Sequence, residues 1–181
     1  MTGIRPKLHR LECPIPIKPP LVGHLDQFDR AILKWLALDG RLPVTELATK
    51  VGLSKTPCQV RVKRLQADGY ILGFRAMLNP GKLGLEHIAF VEVRLTSTTE
   101  SALKAFNTAV QRVPEIEQCH MIAGAFDYLL KVRTSDIRSY REVLGEVISA
   151  LPHVAGTSTH VSMEAVKDRA VLIGGEGAID G

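Results

Sequence analysis

The stretch Ser54-Lys55-Thr56-Pro57-Cys58, running on through Gln59-Val60-Arg61-Val62-Lys63-Arg64-Leu65, reads as the start of a helix. Ser54 has the short hydroxyl side chain suited to an N-cap, which places Lys55, Thr56 and Pro57 at the first three helical positions. The N–H that Pro57 lacks would be unpaired there in any case, whereas a proline one turn later would break the helix. The helix is expected to run to about Asp68, with Gly69 as its stop. At about 100° per residue, Cys58, Val62, Leu65 and Gly69 share one side and form a packing face. The opposite side carries Thr56, Gln59, Val60 and Lys63, flanked by Arg64.

Working back from Ser54, Gly52 supplies a tight turn and Leu53 plugs it. A short helix after Pro43 turns Val44, Leu47, Ala48 and Val51 inward. Before it, Asp26 to Asp39 reads as a helix capped by Asp26, with Asp29 at the positive end of the dipole and Phe28, Ile32, Trp35 and Leu36 in one stripe, stopped by Gly40. Three helices with a glycine turn before the third make a helix-turn-helix. The exposed side of the third helix has groove-reading chemistry. Gln59 can make a bidentate contact to adenine, and Val60 and the Thr56 methyl can touch a thymine methyl. Lys55, Arg61, Lys63 and Arg64 suit phosphates, which set register without reading sequence.

Charge splits along the chain in the same sense. Residues 1–80 hold 13 Lys and Arg against 6 Asp and Glu, a net of +7, and residues 81–181 hold 10 against 13, a net of −3. A basic first half suggests that only that half faces a polyanion, with double-stranded DNA as the partner. Residues 1–24 contain Pro6, Pro14, Pro16, Pro19 and Pro20 and read as a flexible tail, as does 174–181. Tyr70 to Leu78 alternates as a strand or short hairpin, and Asn79-Pro80-Gly81 reads as a linker, so 25–80 forms the first domain.

Residues 81–173 change rhythm. Ile88–Leu95 reads as a strand, Ser97 with Glu100 as a capping box, and Leu103, Phe106 and Val110 as a helix stopped by Pro114. Strands follow at about Ile116–Ile122 and Phe126–Arg133, turned at Ala123-Gly124-Ala125. A helix from Asp136 buries Ile137, Tyr140, Leu144, Val147 and Leu151 and ends at Pro152, and Val154–Met163 is the last strand. The order βαββαβ predicts a ferredoxin-like sheet with two helices on one face, giving an α+β chain. The open face needs a cover, and a second copy is the simplest one.

In Gly124-Ala125-Phe126-Asp127-Tyr128, a polar pair beside a glycine turn interrupts apolar strands. Two readings stand equally: ordinary hairpin chemistry, or a small-ligand pocket in which backbone N–H groups meet a carboxylate and Asp127 lies near an ammonium group. Enzyme readings fail. The chain lacks G-x-x-x-x-G-K-[ST] and G-x-S-x-G, and Cys119 and His120, adjacent on a strand, point to opposite faces. The cysteines and histidines show no metal-ligand spacing, so no cofactor is expected. No apolar run is long enough for a bilayer span, and the chain is read as cytoplasmic with no membrane partner.

The runs Val51 to Cys58, Arg61 to Leu65 and Leu78-Asn79-Pro80, with Phe106 to Gln111, Cys119-His120, Gly124 to Lys131, Leu144-Gly145-Glu146 and Met163-Glu164, closely resemble the Lrp/AsnC (feast/famine) family over about residues 25–173. The resemblance implies an N-terminal winged helix-turn-helix, a C-terminal effector-sensing domain, homodimers paired through their sheets and often octamers. It also implies an amino-acid effector held between protomers, falling on Ala123, Gly124, Ala125, Phe126, Asp127 and Tyr128 and, on a facing strand, on Thr157, Ser158 and Thr159. The chain departs from the family pattern at Pro43, Lys55, Gln59, Val60 and Ala125. The implied function is transcriptional regulation of amino-acid metabolism; the alternative is an architectural protein that coats and bends DNA without sensing an effector.

Overall fold

The computed structural model of the chain describes residues 25–166, and the two tails read from the sequence, with residues 167–173, lie outside the described residues. The chain divides between Arg75 and Ala76 into two compact units.

The first unit holds α1 (Gln27–Leu38), α2 (Val44–Val51) and α3 (Lys55–Ala67). Asp26 caps α1 through a reciprocal box: its side chain accepts the Asp29 N–H at 2.8 Å, while Asp29 accepts the Asp26 N–H at 3.2 Å. Asp39, in extended backbone, closes α1, and Gly40 follows without a positive φ. Gly40 is instead a close-approach position, since a Cβ there would meet the Phe74 ring at 3.1 Å. Gly52, at φ +73, ends α2 in the left-handed conformation that side chains resist, and turns the chain into α3. Ile32, Leu33, Leu47, Ala48, Val51, Cys58 and Leu65 form the core, with Leu53 packed against it.

Tyr70–Leu78, expected as a strand or hairpin, carries no strand. A strand exists only through a ladder partner, and none of the described residues supplies one; Leu72, Met77 and Leu78 remain 75, 84 and 70% exposed.

The second unit contains a short 3₁₀ turn (Gly81–Leu83), β1 (His87–Leu95), α4 (Glu100–Val110), β2 (Ile116–Met121), β3 (Tyr128–Thr134), α5 (Ile137–Glu142) continued by a π turn (Val143–Ile148), and β4 (Val154–Val161). The sheet order is β2-β3-β1-β4, and each neighbouring pair is antiparallel. This is the βαββαβ arrangement expected. Ala89, Val91 and Val93 of β1 and Tyr128, Leu130 and Val132 of β3 bury one face against Phe106 and Val110 of α4 and Tyr140 and Ile148 of the second helical segment. A ring as fully buried as Phe106 contributes roughly 1.5–3 kcal/mol. Phe90, Glu92 and Arg94 point to the opposite, open face, as alternation along β1 requires.

Two local expectations fail. The cap of α4 is Thr99 rather than Ser97, whose hydroxyl accepts the Thr99 N–H at 3.3 Å, outside the helix, so no capping box with Glu100 forms. Ile137 is 53% exposed rather than buried. It is the first residue of α5, at the exposed end of the helix; Tyr140 is buried one turn on, and beyond Glu142 the π turn shifts the phase so that Ile148 and Leu151 complete the buried set.

Candidate nucleic-acid interface and effector site

On α3, Cys58 and Leu65 are fully buried and Val62 packs against them. Thr56, Gln59, Val60 and Lys63 are exposed on the other side, Val60 by 61%. Ser54 occupies the N-cap position in extended backbone, but its side chain makes no capping bond. Pro57, the third helical residue, removes one of the two N–H groups that an N-cap hydroxyl can bond. Ser54 and Lys55 are exposed at the end of the helix where backbone N–H groups favour an anion.

Arg61 and Arg64, read from the sequence as phosphate ligands, have partners inside the protein. Arg61 Nη1 donates to Asp29 Oδ1 at 2.8 Å and to Asp26 Oδ2 at 2.6 Å, and Arg64 Nη2 donates to Asp29 Oδ2. The Asp29 side chain is only 1% exposed, while those of Arg61 and Arg64 are 27 and 49% exposed. Asp29 therefore joins α1 to α3 through both carboxylate oxygens. Because the Asp29 carboxylate is buried while both arginines reach solvent, its charge depends on these two partners to offset its desolvation. The Asp29 and Asp26 carboxylates raise the Arg61 pKa. The Asp29 N–H, opposed by desolvation and assisted by Arg61, holds Asp26 below the usual carboxylate range. Sequence reading missed this cluster; its only signal is the three-residue spacing of Asp26 and Asp29, matched by that of Arg61 and Arg64 on another helix.

The candidate effector residues fall into two groups. Ile122–Asp127 forms the loop between β2 and β3, closed by the Ile122 N–H on the Asp127 carbonyl at 2.8 Å. Ala123, Gly124 and Ala125 are exposed at its tip, and Phe126 is half-buried. Asp127 is fixed from both sides: its N–H donates to the Val93 carbonyl at 2.9 Å, and its Oδ2 accepts the Leu95 N–H at 2.7 Å. Tyr128 is buried against Phe106, ring centroids 4.5 Å apart, and its hydroxyl has no hydrogen-bond partner among the described residues. Burial raises its pKa.

Thr157, Ser158 and Thr159 lie on β4 opposite Val93, Glu92 and Val91. Thr157 and Thr159 take the helix side, where Thr159 Oγ1 meets the Tyr140 hydroxyl at 2.5 Å, and Ser158 takes the open side. Within one chain β1 separates this group from β3, so across the sheet the two groups stand two strand spacings apart, about 10 Å. An open cavity of about 660 Å³ lined by Leu78, Leu83, Leu85, Ile88, Glu117 and Arg133 includes none of the candidate effector residues. No described helix is long and apolar enough to cross a membrane.

Comparison with known proteins agrees with both halves of this description. Residues 25–66 match the family model of the AsnC-type helix-turn-helix domain, and residues 88–172 match that of the Lrp/AsnC ligand binding domain. The chain is 65% identical over 147 residues to the proline dehydrogenase transcriptional activator of Rhizobium radiobacter, covering 81% of this chain and 94% of that protein. It is 47% identical over 149 residues to the leucine-responsive regulatory protein of Escherichia coli K12, covering 82 and 91%. Among solved structures, a transcriptional regulator of Neisseria meningitidis in complex with L-Met superposes with a TM-score of 0.74 at 28% identity, covering 80% of this chain and 94% of that one. These relatives are named as regulators of transcription rather than as enzymes.

Proposed function

Since the chain belongs to the Lrp/AsnC family of transcriptional regulators, with its helix-turn-helix and its ligand-binding domain, we propose that it regulates amino-acid catabolism by reading DNA with α3 under the control of an amino acid, L-proline, bound at the second domain. The exposed side of α3 carries the DNA half of this reading: Thr56, Gln59, Val60 and Lys63 face away from the core, with Ser54 and Lys55 at the helix start. The choice of proline rests on the relative named for activating proline dehydrogenase, since an activator of a catabolic gene is useful when it senses that enzyme's substrate.

The loop Ala123–Asp127 offers backbone N–H groups at Gly124 and its neighbours for a carboxylate. Asp127 Oδ1 is the oxygen left for an ammonium group once Oδ2 has accepted the Leu95 N–H. The separation of this loop from Thr157–Thr159 within one chain favours a site completed by another protomer. The open sheet face with Phe90, 37% exposed, and the Leu72–Leu78 segment, which has no ladder partner among the described residues, favour a homodimer as the working unit.

Thermal denaturation of the full chain with each amino acid at millimolar concentration tests the effector assignment. At a hundredfold excess over Kd, a ligand adds about 2.7 kcal/mol, so L-proline should raise the Tm above every other amino acid. Stabilisation by none of them would favour an architectural DNA-coating protein.

A further inference from the structure

The face of α3 that packs on the rest of its domain is thin. Cys58 and Leu65 are buried along it and Val62 is half-buried beside them, a narrow apolar seam that restrains roll less than a broad one would. Asp29 supplies the missing constraint. Its two oxygens take one arginine each, Arg61 and Arg64, spaced three residues apart on α3, and the Arg61 guanidinium also lies 5.4 Å from the centroid of the Phe28 ring of α1. Two bonds to two points on one helix resist both roll and slide. A roll of about 20° would carry side-chain tips, 5–6 Å from the axis, through roughly 2 Å. That is enough to break a bidentate contact to a base edge.

We propose that Asp29 is a positioning residue of the DNA-reading surface: it fixes the roll of α3 so that Gln59 and Thr56 meet the groove in register, and it withholds Arg64 from the phosphates. The second role follows from position, because Arg64 flanks the exposed side of α3 and is half-exposed while bonded to Asp29. An arginine released there adds a sequence-blind cation next to the reading residues. Arg61 stays paired with Asp26 when Asp29 is lost, so Arg64 is the charge set free. Asp29 thus raises discrimination in two ways, by holding geometry and by suppressing non-specific affinity. This inference rests on α3 being the DNA-reading helix.

The test compares the full-length chain with its Asp29→Asn and Arg64→Gln variants. Each binds a duplex selected from a random pool by the wild type, and the unselected pool, over a series of salt concentrations. For Asp29→Asn the ratio of selected to unselected affinity should fall at least tenfold, while the slope of log K against log salt on the unselected pool steepens by about one unit. Arg64→Gln loosens α3 without freeing a charge, so its ratio should fall while its slope does not steepen. A merely structural role for Asp29 would weaken both DNAs without steepening the slope, and would overturn the proposal. So would an unchanged ratio in either variant. Should Asp29→Asn fail to fold, the ratio for Arg64→Gln decides the outcome. A wild type that selects no sequence would instead contradict the DNA-reading role of α3, a distinct failure.

Discussion

The Asp127 carboxylate accepts the Leu95 backbone N–H at 2.7 Å, tying the loop after β2 to the bulged end of β1. Half of the side chain expected to meet an effector is therefore already used in holding the loop in place. Asp127→Ala leaves the Leu95 N–H without its acceptor and should cost about 1–3 kcal/mol, whereas Asp127→Asn retains an acceptor and should cost less. Urea denaturation of both variants checks this, and equal midpoints for wild type and Asp127→Ala would contradict it.

Tyr128 separates packing from polarity. Its hydroxyl is buried without a partner among the described residues, while its ring packs on Phe106. Tyr128→Phe should leave stability unchanged or raise it, since a desolvated, unbonded hydroxyl is removed. Tyr128→Ala should cost about 3–5 kcal/mol through the cavity left behind. A Tyr128→Phe variant as unstable as Tyr128→Ala would mean that the hydroxyl is bonded after all.

What the sequence made legible was what is local. Asp26, Gly52, Ser54 and Gly69 could be placed because caps and turns depend on neighbouring residues, and the βαββαβ order followed from the change of period after Gly81. The bonds of Arg61 were not legible, because its partners Asp26 and Asp29 lie 35 and 32 residues earlier and only the packing of α1 on α3 brings them together. Ile137 lies in the first turn of α5, at the solvent-facing end, and the burial of Ile148 was not legible because nothing in Val143–Ile148 announces a π turn. Tyr70–Leu78 has the alternation of a strand, but alternation cannot supply the ladder partner it needs.

Acid should unfold the chain through specific carboxylates. The pKa of Asp26 is lowered chiefly by the Asp29 N–H, and that of Asp136 chiefly by the Ser139 N–H. A depressed folded-state value contributes stability above the unfolded carboxylate pKa, near 4, and loses it as pH falls through the lowered value. The urea midpoint should hold steady from pH 7 to about pH 5 and fall below about pH 4. The fall should be shallower in an Asp26→Asn, Asp136→Asn double variant, and an equally steep acid limb there would contradict the assignment.

Burial pushes the Cys119 thiol up to about 11 and also raises that of the fully buried Cys58. At pH 8 roughly one Cys119 in a thousand would be thiolate. Iodoacetamide should therefore modify both far more slowly than it modifies glutathione, as followed by peptide mass mapping. Alkylation of Cys119 at the glutathione rate would contradict this.

Gln59 and Lys63 stand side by side on the exposed face of α3, one suited to a base and the other to a phosphate. The most direct measurement is the binding of wild type, Gln59→Ala and Lys63→Ala to a wild-type-selected duplex and to the unselected pool, across salt. Lys63→Ala should weaken binding to both alike and lower the salt slope by about one unit, whereas Gln59→Ala should lose about 1–3 kcal/mol on the selected duplex alone and relax preference at one base pair. Equal weakening of both DNAs by Gln59→Ala, with no position relaxed, would contradict the reading of sequence by α3.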